Sequence, residues 1–211
     1  MTPLLTIRST AARVGAWAWL AFATLNLIDI AVRGRDVAAL VMAALLLLGC
    51  GIAYVMGLRP AVVADEQGIT VRNPMRDVRV PWPSSRKIEG TEALTFLFKE
   101  QGGEERKVKA WVHQTSPRAR AKAEARQRRE AAGAQGAAAA ALRNSTPTMY
   151  AVQQLNDLAK SHTPKVKASK TAPPAEDAEP GGKITWSRKA VAALAVPGAL
   201  VAVAALLALV T

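Results

Sequence analysis

Three long apolar runs constrain this 211-residue chain more than any other feature. Val14–Val32 has 19 largely apolar residues, Val37–Leu58 has 22 without a charge, and Ala190–Val210 has 21 without a charge. An α-helix needs about 20 such residues to cross the hydrocarbon core of a bilayer. Half of the chain is hydrophobic but only 5% is aromatic. The pattern therefore predicts three transmembrane helices rather than one globular core.

The first two runs are joined by a short connection at Arg33–Asp36, so residues 1–58 are predicted to form a transmembrane hairpin with spans at about 14–32 and 37–58. Small residues in the second run permit close helix packing. Asn26 and Asp29 interrupt the first run. A carboxylate at that depth indicates either a functional group or, since Arg33 is one turn away, a hydrated pair near the interface.

Residues 59–116 have the alternation of a small β domain. Ile69 and Val71 alternate with polar residues, as do Val78 and Val80, and the pair Asn73-Pro74 between these arms is typical of a turn. Further alternating segments are predicted to be strands, with a glycine-containing hairpin between the last two: residues 62–64, 94–98 and 108–112. We expect Trp82 and Trp111 to lie in the core.

Most of the net charge of +12 follows this domain, because residues 118–189 hold 14 Lys/Arg against 6 Asp/Glu. Ser116-Pro117 is typical of a helix start. The four basic residues that follow at helical spacing form one stripe, namely Arg118, Lys122, Arg126 and Arg129. The face opposite the stripe is alanine. The stripe indicates either electrostatic contact with an anionic membrane surface or a solvated helical spacer.

A second helix is predicted after Thr146-Pro147, with apolar residues at every third position that could pack on the β domain or on a partner: Met149, Val152, Leu155 and Leu158. Residues 117–160 thus form a basic and amphipathic helical segment. Residues 161–189 are rich in Lys, Pro, Ala and Ser and predict a flexible linker before the C-terminal transmembrane helix at 190–211.

The basic residues near the spans predict the orientation. Arg8 and Arg13 precede the first span, and Lys183, Arg188 and Lys189 precede the third. By the positive-inside rule, the N-terminus and the β domain lie in the cytoplasm, and the C-terminus lies outside a multi-pass plasma-membrane protein.

The sequence shows no catalytic, cofactor-binding or metal-binding pattern. His113 and His162 have no other ligand at metal-site spacing, and Gly102-Gly103 is explained by a hairpin. Cys50 lies in an apolar run and has no cysteine partner. We therefore predict a protein that is not an enzyme.

The candidate ligand contacts within the β domain are Arg72, Arg76 and Arg79, around the Asn73-Pro74 turn. Guanidinium groups exposed there would bind phosphate or carboxylate through paired hydrogen bonds. The open alternative is that they form ordinary surface ion pairs with the carboxylates of Asp77, Glu89 or Glu92.

These residues also carry a family resemblance. The helical hairpin, then Arg59-Pro60, then Gly68-Ile-Thr-Val-Arg-Asn-Pro-Met-Arg76 and Val80-Pro-Trp82, resemble bacterial PH-domain membrane proteins of actinobacteria of the low-molecular-weight antigen type. The resemblance covers about residues 59–113. It implies a PH-like fold, a strongly bent β-sheet barrel with a C-terminal helix, and a scaffolding role without catalysis.

The combined expectation is an α+β membrane protein with a PH-like domain that serves as an adaptor. Its domain would bind a protein partner, as an accessory subunit of a larger membrane complex. One alternative is a sensor of anionic lipid surfaces that uses the basic stripe and the turn arginines. A weaker alternative is nucleic-acid tethering by the basic segment, which would show a steep salt dependence.

Overall fold

The computed structural model of the protein describes residues 3–90, 93–112, 147–162 and 181–210. In chain order the first half contains β1 (Leu5–Ile7), α1 (Thr10–Arg33), α2 (Val37–Ala53, extended by a π-helical turn at Tyr54–Leu58), β2 (Ala61–Asp65), β3 (Gly68–Arg72) and β4 (Arg76–Pro81). The remainder contains a 3₁₀ turn (Trp82–Ser84), β5 (Ser85–Gly90), β6 (Leu94–Lys99), β7 (Glu105–Lys109), α3 (Pro147–His162), β8 (Lys183–Trp186) and α4 (Arg188–Val210).

The chain divides into two compact units. The β unit comprises residues 1–8, 61–72 and 78–184. The helical unit comprises residues 9–60, 73–77 and 185–211. The turn between β3 and β4 thus clusters with the helices, although the strands on either side of it belong largely to the β unit.

The helical unit contains three helices that are long and apolar enough to cross a membrane: Thr10–Arg33, Val37–Leu58 and Arg188–Val210. This confirms the predicted layout of a hairpin and a C-terminal apolar helix. All three of these helices begin at side-chain caps, because Ser9, Asp36 and Ser187 accept hydrogen bonds from the backbone N–H groups of Ala12, Ala39 and Ala190, respectively. These caps satisfy backbone donors that the first helical turn leaves without partners.

Small residues bring the helices into close contact. A Cβ atom at Gly51 of α2 would lie 2.1 Å from the carbonyl oxygen of Ala193 on α4. One at Gly57 would lie 2.7 Å from the carbonyl oxygen of Ala12 on α1. Glycine is therefore required at both positions for the backbones to approach this closely.

The β unit packs two antiparallel sheets around one core. The first sheet has the strand order β1-β2-β3-β4-β8 and the second has the order β5-β6-β7. The largest buried side chains of the core are Trp82, Phe96 and Phe98. Alternation puts every second residue of each strand on the inner face, so this core follows from the pattern of the strands.

Helix α3 closes the β unit with the apolar stripe predicted for it. Leu155 is fully buried in the core, with Val152 and Leu158 packed beside it. A Cβ atom at Gly90 of β5 would lie 2.5 Å from the Val152 side chain, so the helix lies directly on the strand. The His162 ring, in the last turn of α3, stacks on Trp82 at 6.0 Å between ring centroids.

Two strands form where the sequence predicts none. β1 lies in the polar lead before the first span, and β8 lies in the predicted 161–189 linker. Each supplies apolar side chains to the core, Leu5 and Ile7 from β1 and Ile184 from β8. Such short segments carry too few alternating residues to be recognised without the sheet they join.

Trp111 was expected in the core, but 43% of it is exposed. It lies just after β7 in a turn, between Ala110 and Val112, which are both buried. The alternation of buried and exposed side chains continues through this turn and places Trp111 on the outward side. The predicted basic helix with Arg118, Lys122, Arg126 and Arg129 lies outside the described residues.

Candidate functional site

The outer face of the first sheet carries an arginine–aspartate pair. Arg79 donates from Nη1 to Asp65 Oδ2 at 2.6 Å and from Nη2 to Oδ1 at 2.7 Å. Nη1 also donates to the hydroxyl of Thr70 at 2.7 Å. The two-pronged geometry is the strong form of this interaction. These hydrogen bonds join β4 to the end of β2, with the Asp65 side chain largely buried and the Arg79 side chain about one-third exposed.

Asp65 also organises the turn between β2 and β3. Its carboxylate accepts hydrogen bonds from the backbone N–H groups of Gln67 and Gly68, at 2.9 and 3.1 Å. Its backbone carbonyl accepts one from the Trp82 indole at 3.0 Å. The Arg79 guanidinium, with the two N–H groups, holds the pKa of Asp65 below its usual range. Asp65 is therefore a structural anion whose charge Arg79 balances.

The turn between β3 and β4 is held within the helical unit. Arg59, at the end of α2, donates through Nη1 to the carbonyl oxygens of Asn73 and Pro74 and through Nη2 to Asp77 at 2.7 Å. The Arg59 side chain is only 7% exposed. A buried guanidinium with three acceptors is well satisfied, so Arg59 anchors the turn.

The start of α4 contacts the same turn. The backbone N–H of Ser187 donates to the carbonyl of Met75 at 2.9 Å. The Arg76 guanidinium lies over the Trp186 ring, 4.6 Å from its centroid. This distance is typical of a cation–π interaction. The turn therefore bridges the end of α2 and the start of α4 inside the helical unit.

The three predicted turn arginines consequently have different environments. Arg79 is committed to Asp65 and Arg76 stacks on Trp186. Arg72, at the end of β3, is exposed and forms no salt bridge with any residue that the structure describes. Whether any of them binds a ligand stays a prediction. Sequence reasoning missed the anchoring role of Arg59, for which its place beside Pro60 at the end of an apolar run was the available signal.

The second sheet presents an edge strand. Among the described residues, β7 pairs only with β6. At the two ends of this ladder, the N–H of Ala110 donates to the carbonyl of Leu94, and the N–H of Glu100 donates to the carbonyl of Glu104. These bonds show which residue pairs of β6 and β7 are hydrogen-bonded, namely every second pair along the ladder. In an antiparallel pair, the residues between such pairs direct their backbone groups away from the partner strand. The N–H and C=O groups of Glu105 and Lys107 therefore point to the outer edge.

Charged side chains cover this edge. Four of the five residues of β7 are charged: Glu105, Arg106, Lys107 and Lys109. Arg106 pairs with Glu100 at 3.0 Å and with Glu104 at 3.3 Å. Glu89 on β5 lies 2.7 Å from Lys87 and 4.0 Å from Lys107, and its pKa is lowered mainly by Lys87. All these pairs are at the surface, where each contributes little to stability.

Two packed antiparallel sheets closed by a helix, preceded by two apolar helices, define a membrane α+β protein with a PH-like domain. The family model of the bacterial PH domain matches residues 59–131, a range that contains strands β2 to β7. The match confirms the resemblance to bacterial PH domains found in the sequence. No curated protein and no solved structure matches the chain.

Proposed function

We propose that this protein is a non-catalytic membrane adaptor whose PH-like domain binds an extended, acidic segment of a protein partner along strand β7. The bacterial PH domain and the three candidate membrane helices make it a membrane-anchored PH module. Partner binding is the proposed step. The observation that supports it is the outer edge of β7.

An edge strand is a template for strand addition. The backbone groups of Glu105 and Lys107 point outward with the spacing that an added antiparallel or parallel strand requires. The charged side chains of β7 discourage uncontrolled edge-to-edge pairing. A specific partner would overcome this protection by supplying complementary charges.

The charge of β7 indicates the chemistry of the partner. The strand carries three basic residues and one acidic residue, a net charge of +2. Acidic side chains on the added segment would pair with Lys107. Such charge complementarity favours correct register and raises the association rate more than it raises affinity. The partner would be a subunit of a larger membrane complex, in which this chain is an accessory component.

Residue 107 offers the sharpest test. Lys107→Pro removes one outward N–H group without touching the hydrogen bonds that β7 makes to β6, because the Lys107 groups point away from that strand. Lys107→Ala removes the same side chain and keeps the N–H group. The full-length wild type and both variants would be affinity-purified in mild detergent and their partners quantified by mass spectrometry.

We expect a near-stoichiometric partner with wild type and with Lys107→Ala, reduced at least about tenfold with Lys107→Pro. Deletion of residues 59–116 with the spans retained should abolish capture. A partner that survives both the proline variant and the deletion would place docking on the spans and contradict the proposal. Equal loss with Lys107→Ala and Lys107→Pro would point to the side-chain charge rather than strand addition.

We infer the orientation from basic residues near the spans, with the N-terminus and the PH-like domain in the cytoplasm of the cell. Arg8 and Arg13 precede α1, and Arg188 and Lys189 begin α4. In a Cys50→Ala background, Gly102→Cys reports on the β6–β7 hairpin and Arg35→Cys on the α1–α2 connection. An impermeant maleimide applied to intact cells should label residue 35 and spare residue 102. The reverse pattern would contradict this orientation.

A further inference from the structure

The outer face of the first sheet contains a groove of about 320 Å³. It is lined by Pro3, Thr6, Arg8, Val63, Asp65, Thr70 and Arg72. All of these residues belong to the β unit. The groove lies on the opposite sheet from β7, so any ligand it takes is independent of the proposed partner.

The strand register explains how the groove forms. Thr6 of β1 is paired with Val63 of β2, which is paired on its other side with Thr70 of β3. Two residues further along these strands, Arg72 is paired with Ala61. Arg8 follows the end of β1 and is level with the same alanine.

This register brings two arginines to one end of the groove. Two strand spacings separate Arg8 from Arg72, about 10 Å between Cα atoms. Ala61, on the strand between them, is buried and does not line the groove, whereas Val63 two residues further along that strand does. Both arginines line the groove and are exposed. Their long side chains are able to converge on a single group between them.

The groove has an uncompensated positive charge. Asp65 is its acidic residue, and Arg79 already balances that charge through two hydrogen bonds of 2.6 and 2.7 Å. Within the described part of the chain, neither Arg8 nor Arg72 forms a salt bridge. The lining thus leaves a net charge of about +2 for a ligand to neutralise.

The threonines add hydrogen-bond donors to the floor. Thr70 Oγ1 accepts a hydrogen bond from Arg79 Nη1 at 2.7 Å, which leaves the hydroxyl proton of Thr70 to be donated. The hydroxyl of Thr6 lies one strand away from Val63 on the same face. Two guanidinium groups and two hydroxyl groups are a donor set suited to an anion with several acceptor oxygens.

We propose that this groove binds the phosphate group of a phospholipid headgroup or of a small soluble phosphate ester. A phosphate monoester, as in phosphatidic acid or glycerol phosphate, carries a charge of about −2 at neutral pH, which matches the net charge of about +2 in the groove. Its oxygens accept hydrogen bonds from paired guanidinium N–H groups. The volume is at the lower end of the range for small-ligand pockets, which fits a headgroup or a small ester. Arg8 immediately precedes Ser9, the cap of the first apolar helix, so the chain itself keeps this arginine near the start of that helix.

The test uses the purified full-length protein in detergent. One arm titrates inorganic phosphate and glycerol phosphate by isothermal titration calorimetry. The other arm titrates short-chain phosphatidic acid, with phosphatidylcholine as the zwitterionic comparison, and counts retained lipids by native mass spectrometry. The variants are Arg72→Gln, Arg8→Gln and Thr6→Val, and the matched control is Arg86→Gln, an exposed arginine on β5 of the other sheet.

We expect Arg72→Gln and Arg8→Gln each to weaken binding at least about tenfold, Thr6→Val to weaken it severalfold, and Arg86→Gln to change it less than about twofold. Loss in the lipid arm alone identifies a headgroup site, and loss in the soluble arm identifies a phosphate-ester site. Equal effects of Arg72→Gln and Arg86→Gln would show non-specific attraction and overturn the proposal, as would the absence of binding in both arms. Arg72 is exposed at a strand end, so its variant stays informative if Arg8→Gln alters membrane insertion.

Discussion

The β unit and the helical unit place the same kinds of side chain in opposite positions. In the β unit, Trp82, Phe96 and Phe98 are at most 2% exposed. In the helical unit, Val203 of α4 is 55% exposed and Leu206 is 63% exposed. Apolar side chains leave water wherever they can, but lipid tails are as apolar as leucine and give no reason to bury them. The difference shows that the two units are built for two solvents.

The largest difference in unfolding free energy is expected between an alanine substitution in the core of the β unit and one on an exposed apolar position of the helical unit. Phe96→Ala leaves a cavity in a packed core and should cost about 3–5 kcal/mol of unfolding free energy. Leu206→Ala removes an outward side chain and should cost less than about 0.5 kcal/mol. Hydrogen–deuterium exchange of the full-length protein in nanodiscs measures both, through peptides of β6 and α4. Similar costs for the two substitutions would contradict the assignment of α4 to a lipid environment.

The charged pairs provide a second contrast. Asp65 and Arg79 of the β unit are 12% and 32% exposed, whereas Asp29 and Arg33 of the helical unit, 3.1 Å apart, are 60% and 81% exposed. Asp65→Asn keeps an acceptor for the turn amides but leaves the Arg79 charge without its counter-ion. We expect a loss of about 2–3 kcal/mol, against less than about 1 kcal/mol for Asp29→Asn. Thermal unfolding of both variants in the same detergent tests the ranking.

The Asp65 pair also predicts a pH dependence. The pKa of Asp65 is lowered in the folded protein, so the ionised carboxylate contributes to folding stability. This contribution is fully present at pH values above the pKa of an unfolded aspartate, about 3.9. The contribution is lost as pH falls from that value through the folded pKa. Wild type should therefore lose stability in this acidic range more steeply than Asp65→Asn, as measured by unfolding midpoints across pH. Parallel curves would show that the pair contributes nothing to folding.

The smallest effect is expected at the turn that the helical unit holds. Arg76→Ala removes the cation–π contact with Trp186, worth about 0.5–1 kcal/mol at an exposed site. Amide exchange of residues 73–77 should rise about threefold to fivefold, because the backbone contacts to Arg59 and Ser187 remain. Arg86→Ala is the control, with no expected change in that turn. No change with Arg76→Ala would show that these backbone contacts alone hold the turn.

Much of the architecture could be predicted from local patterns. The hairpin turn before β7 has Gly103 at a φ of 83°, as its glycine pair predicts. The apolar stripe with Val152, Leu155 and Leu158 predicted α3, and the structure shows that this stripe packs against the core of the β unit. The strands β1 and β8 could not be predicted, because their three and four residues become strands by pairing with distant segments.

The sequence by itself determined the spans, the strands with clear alternation and the family of the central domain. These depend on the length and period of neighbouring residues, which can be counted along the chain. Only the tertiary structure decided which cations are paired and which are open. Arg79 pairs with Asp65, which lies fourteen residues earlier in the chain. Arg8 lines the same groove as Arg72, although more than fifty residues separate the two in the chain. Such encounters depend on how strands pair in space, and no local pattern encodes that pairing.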